Sequence, residues 1–162
     1  MKWHRLLEPL SNRIKMVLNR ALIDIVNDST DMQLVQISIM SDEVKTDVER
    51  IQDYGFTSKP LKGSEALVGF INGNKDQGIV IKVDNAQYRL KGLEDGEVAM
   101  YNNTGAYVKM KKDGEIVMSS EKGITLSAKT GEDVVVNGKN VTVNLESGGT
   151  FSVAGSNLTV DA

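Results

Sequence analysis

Glu132-Asp133-Val134-Val135-Val136-Asn137-Gly138-Lys139-Asn140-Val141-Thr142-Val143-Asn144-Leu145-Glu146-Ser147-Gly148-Gly149 is the stretch that decides the architecture. Val134 and Val136, then Val141, Val143 and Leu145, are spaced by two, and Asn-Gly and Gly-Gly pairs separate the runs. Successive side chains on a strand point to opposite faces, so this spacing gives short strands with one apolar edge. The pattern extends both ways. Upstream stand Val108 with Met110, Ile116 with Met118, and Ile124 with Leu126; downstream stand Phe151 with Val153 and Leu158 with Val160. Glycine recurs at 105, 114, 123, 131, 138, 148 and 155, the mark of a repeated strand-and-turn unit.

Such a ribbon covers only one side of a core. Its outward positions are Lys, Asn, Thr, Ser and Glu, and its aromatics are Tyr107 and Phe151 alone. A repeat that cannot bury its edge must stack on copies of itself, within a chain or between chains. Residues 107–162 therefore admit an ordinary meander or single-chain solenoid on one side. On the other stands a shaft of three chains, with the fifteen alternating residues from Val108 to Val160 named above on its axis.

Working outward, residues 21–105 carry shorter alternating runs. Leu22, Ile23 and Ile25 give a strand, then Val35, Ile37 and Ile39 another, with Val44 and Val48 extending that hairpin. Strands are expected at 65–72 and 78–83, joined through Asn72-Gly73-Asn74, and a last one at 97–101. About five short strands without a long helix fit a small barrel of the oligonucleotide/oligosaccharide-binding (OB) type, or an SH3-like one.

The first twenty residues switch to helical spacing. Trp3, Leu6, Leu7, Leu10, Ile14, Val17 and Leu18 line one stripe, with Lys2, Arg5, Arg13, Lys15 and Arg20 mostly off it and a break expected near Pro9. A basic amphipathic helix suits a partner's groove, its own domain or a membrane surface.

Composition removes many chemistries. The chain has 162 residues, no cysteine and a single histidine, His4, so thiolate sites and most histidine-based catalysis are excluded. No signal-peptide core and no run of eighteen apolar residues is present, so neither secretion by that route nor a lone membrane span is expected. Residues 21–105 hold eight Lys/Arg against fourteen Asp/Glu. That balance, with few aromatics, argues against nucleic-acid binding. Gly131 to Gly138-Lys139 has the wrong spacing for a phosphate loop, and Asp28 with Asp31 lacks that of a calcium loop. Asp47 and Glu49 share a strand face by alternation, which a solvated edge explains without acid–base chemistry.

The run Asp53-Tyr54-Gly55-Phe56-Thr57-Ser58-Lys59-Pro60-Leu61-Lys62-Gly63 resembles the signature of the Mu-like phage baseplate assembly protein V family, the central tail spike. Gly73-Asn74-Lys75-Asp76-Gln77-Gly78-Ile79-Val80, Tyr88-Arg89 before Gly92-Leu93, and Gly96-Glu97-Val98-Ala99-Met100-Tyr101 follow in that family's order. The resemblance spans about residues 1–110 and rests most on Tyr54, Gly55, Phe56, Thr57, Ser58 and Pro60, with Gly96 and Glu97.

It implies an all-β homotrimer: a hub-docking helix (1–20), an OB-like barrel (21–105) and an intertwined triple-stranded β-helix (106–162). It also implies a structural, non-enzymatic spike without cofactor, under the tail tube of a contractile phage tail or tailocin, that pierces the host envelope mechanically. Partners would be baseplate hub or tail-tube proteins, the host envelope transiently, and no nucleic acid. The alternative is an OB-type nucleic-acid or carbohydrate module with an adhesive β tail. One departure stands out. Family members often end in a His-X-His motif that holds iron, whereas this chain ends Ser156-Asn157-Leu158-Thr159-Val160-Asp161-Ala162. The expected tip is therefore metal-free: short and blunt, capped by a separate protein, or truncated.

Overall fold

In β1 (Leu18–Asn27), Ala21 and Ile23 point inward and Leu22 and Ile25 outward, the alternation of a half-buried strand. The computed structural model describes residues 17–40 and 43–153. β1 pairs antiparallel with β2 (Gln33–Met40) on one edge and with β4 (Glu65–Phe70) on the other. β2 continues into β3 (Glu43–Arg50), and β4 into β5 (Gly78–Asp84). A short parallel pairing, Glu49 with Ile79 and Arg50 with Val80, closes a five-stranded barrel in the order β1-β2-β3-β5-β4. Its core is Ala21, Ile23, Val35, Ile37, Val48, Ala66, Val68, Phe70 and Val80.

Five barrel strands were expected, but the membership differs. The Val44–Val48 run is a strand in its own right, β3, not an extension of β2. The run at 97–101 supplies β6 (Val98–Tyr101), which lies outside the barrel and pairs with β7 (Tyr107–Met110). β7 then pairs with β8 (Ile116–Ser119), making a separate three-stranded antiparallel sheet. β3 takes the place beside β5 by parallel pairing, so the barrel is closed without β6.

Two further differences are local. Val17 and Leu18, expected on the helical stripe, belong to the barrel: Phe70 N–H donates to Val17 O at 2.8 Å, and Leu18 pairs with Gly69. The other stripe residues, Trp3, Leu6, Leu7, Leu10 and Ile14, lie outside the described residues, as do Leu158 and Val160. The 65–72 run ends as a strand at Phe70, where a 3-10 turn at Ile71–Gly73 sets in, with Asn72 at φ 54°.

The chain divides after Glu121 into two units. In the second, residues 122–153 form no strand ladder within the chain. They contain recurrent turns: Glu132 N–H donates to Lys129 O and Gly149 N–H to Glu146 O, both at 2.9 Å. Ile124, Leu126, Val134, Val136, Val141, Val143, Leu145, Phe151 and Val153 are all at least half exposed.

Candidate functional site

The signature run lies in the connection between β3 and β4, residues 51–64, and its local structure explains most of its residue types. Phe56 N–H donates to Asp53 O at 3.0 Å, closing a turn whose third residue, Gly55, sits at φ 87°. Only glycine takes that angle without strain, so Tyr54-Gly55-Phe56 is a turn requirement. Gly96 repeats the device: Glu97 N–H donates to Glu94 O at 3.1 Å, and Gly96 has φ 87°.

Ser58 is the mooring point of the loop. Its N–H donates to Gln52 Oε1 at 2.8 Å, and its carbonyl accepts from Arg50 Nη1 at 2.6 Å and Gln33 Nε2 at 3.1 Å. Its hydroxyl accepts from Arg50 Nη2 at 2.9 Å. Gln33 is buried, 6% exposed, and is fully used: Nε2 also reaches Asp28 Oδ1 at 2.5 Å, and Oε1 accepts from Arg50 at 2.7 Å. Burial pushes the Arg50 guanidinium below its ordinary pKa, while the Asp28 charge opposes that shift. A buried amide and a half-buried cation are tolerable because each donor finds an acceptor.

The aromatics of the signature, in contrast, point to solvent. Tyr54 is fully exposed and Phe56 is 65% exposed. Beside the loop runs a groove of about 460 Å³ whose walls include Arg50, Ser58, Pro60, Tyr88 and Tyr101. Among the described residues no three His, Cys, Asp or Glu side chains gather into a metal-holding group.

The second sheet carries the most apolar surface. Val98 pairs with Met110 and Met110 with Ile116; Met100 pairs with Val108 and Val108 with Met118. Directly opposed residues share a face, so these six form one uninterrupted apolar face. Val98, Met100, Met110, Ile116 and Met118 are 48–63% exposed. Four of the six, Val108, Met110, Ile116 and Met118, are residues expected on the axis. Val98 and Met100 were missed, because the sequence reading gave β6 to the barrel. On the other face lie Ala99, Lys109 and Val117, with Tyr101, Tyr107 and Ser119. There Lys109 Nζ meets Glu97 Oε2 at 2.7 Å, and the Glu97 side chain is only 4% exposed. That bond, together with the Glu94 N–H on Glu97 Oε2 at 2.9 Å, holds the Glu97 carboxyl below the usual carboxylate range.

Comparison with known proteins agrees with this layout. Residues 20–87 match the family model described as Bacteriophage Mu Gp45, N-terminal. The chain is 37% identical over 116 residues, 72% of its length, to the "Baseplate puncturing device gp45" of Escherichia phage Mu. It is 33% identical over 119 residues, 74% of its length, to the "Mu-like prophage FluMu protein gp45" of Haemophilus influenzae. The matches cover 59% and 65% of those two relatives, so the chain spans about three fifths of their length. On these matches, and on the turn-forming and loop-mooring roles that the signature residues fill in the structure, the chain belongs to the Mu-like baseplate spike family.

Proposed function

We propose that this chain is the central spike of a contractile-tail baseplate, in a phage or a tailocin, acting as a homotrimer that pierces the host envelope by mechanical force without catalysis. The observation that carries the reading is the state of residues 122–153. Their apolar residues alternate and are at least half exposed, their turns recur, and they form no ladder within the chain. A single-chain solenoid needs such ladders, and strands left without partners satisfy their backbone groups by pairing with other chains. Three chains wound together would place Ile124, Leu126, Val134, Val136, Val141, Val143, Leu145, Phe151 and Val153 around one axis.

In this reading residues 21–105 hold the barrel, whose strand order is that of an OB-type Greek key. Residues 106–162 form a triple-stranded β-helix, and the stripe from Trp3 to Leu18 contacts the hub or tube. The mechanism is load-bearing. A shaft hydrogen-bonded around its axis leaves no free sheet edge along its length and resists compression as one body. Light scattering coupled to gel filtration tests it: three times 17.7 kDa is expected at micromolar concentration. A folded monomer there refutes the spike.

A further inference from the structure

The sheet β6-β7-β8 presents two rows, Val98-Met110-Ile116 and Met100-Val108-Met118, with no charged or hydrogen-bonding side chain among them. At these exposures the face amounts to roughly 500 Å² of bare apolar surface, at the upper end of what a monomer leaves uncovered. Nothing in the sheet's own chain covers it among the described residues, because five of its six side chains are about half exposed. The polar work of the sheet is done elsewhere: Glu97 with Lys109 belongs to the other face, and Glu115 pairs with Lys111 just beyond the β7–β8 turn.

We infer that this face is a contact between copies of the chain, a collar in which three β6-β7-β8 sheets pack face to face, and that it is distinct from the expected shaft strands. The inference rests on the trimer proposed above and extends it to β6, through Val98 and Met100. Self-complementarity selects the occupant. A face without charge asks for no oppositely charged partner, and rotation about an axis brings the same row of each copy to the same level. Three of the six residues are Met, whose flexible side chains fill gaps where three sheets converge. In the sequence the alternation continues beyond Ser119 with Ile124 and Leu126, so the face adjoins the segment that also lacks partners in its own chain. A collar of antiparallel strands paired within each chain gives three chains a preformed surface on which to meet before the unpaired segments wind. It sets their register.

The test uses the full-length chain, with Met100→Glu on the face and Ser119→Glu on the opposite one. Mass and dissociation are followed by dilution and light scattering. Met100→Glu buries three carboxylates at one level without partners, and the trimer should dissociate at concentrations about a thousandfold higher than wild type. Ser119→Glu should stay within about tenfold of wild type. Met100→Gln, uncharged and of similar length, guards against simple misfolding: it should weaken the trimer less than Met100→Glu and keep the wild-type circular dichroism. A wild-type trimer that Met100→Glu leaves equally tight overturns the collar, as does equal weakening by Ser119→Glu. A wild-type monomer overturns the collar and the spike together, and the unmodified protein alone reveals it.

Discussion

Replacing Arg50 with Ala isolates what holds the signature loop. Arg50 donates to Gln33 Oε1 at 2.7 Å, to the Ser58 carbonyl at 2.6 Å and to the Ser58 hydroxyl at 2.9 Å. Gln33 is 6% exposed, so its Oε1 loses its donor where water scarcely reaches, which costs about 1–3 kcal/mol. The two Ser58 contacts are more exposed and water replaces part of them, so they add about 0.5 kcal/mol each. The expected loss is about 2–4 kcal/mol, read from urea unfolding followed by circular dichroism. Ser58→Ala removes only the hydroxyl contact and should cost about 1 kcal/mol or less. Because Arg50→Ala already includes that contact, the double variant should fall short of the sum of the singles. Limited proteolysis within residues 53–57 should accelerate in Arg50→Ala. An Arg50→Ala protein within about 0.5 kcal/mol of wild type would refute the mooring argument.

Phe70→Ala should destabilise the barrel by about 3–5 kcal/mol, since Phe70 is 1% exposed and the cavity left behind cannot fully collapse; thermal unfolding measures it. The Glu97 carboxyl is held below its ordinary pKa in the folded protein, so its stabilising contribution is present above the unfolded pKa and is lost as pH falls through the folded one. Acid unfolding of Glu97→Gln should accordingly show a shallower fall below about pH 4 than wild type, and parallel curves would argue against the Lys109 contact. Val143→Asp should sharply lower the melting temperature of the assembled protein at neutral pH, and less so in acid, because three buried carboxylates are costly unless protonated. Asn144→Asp, one residue along and on the opposite face, should be nearly neutral; equal melting of the two variants would remove residues 141–145 from any shared core.

Alternation in the sequence located the strands well but did not assign their partners. β1, β2, β4 and β5 were legible because Ile23, Val35, Ile37, Val68 and Val80 alternate with outward residues and all lie in the core. Alternation reports which face a residue takes and is silent on which sheet a strand joins, and so β6 was placed in the barrel. β3 shows a second limit. Val44 and Val48 are four apart and should share a face, yet Val48 is buried at 6% and Val44 is 53% exposed. The register against β2 shifts between Val35 and Ile37, and Asp47 there adopts φ 57°, a bulge that reverses the parity of the strand. In the signature, the glycine turns were readable as turns. The reason for Ser58 was not, since its partners Gln33 and Arg50 stand 25 and 8 residues away and only the fold brings them together.

The barrel's seam has a consequence of its own. Where every other strand junction is a ladder of at least five pairs, β3 meets β5 through two, assisted by Ile51 N–H on Val80 O at 3.2 Å. Alongside it, Lys45 reaches Asp76 at 3.0 Å and Lys75 reaches Glu43 at 2.5 Å, both pairs partly in solvent. Closure at this one junction thus leans on ions that dissolved salt screens, while the rest of the barrel leans on buried hydrocarbon that salt leaves intact. Ionic strength becomes a control separate from temperature: raising it should let amide protons along the seam exchange with solvent long before those of Ile23 or Val68 do, so the barrel opens as a split ring and not as a melting globule.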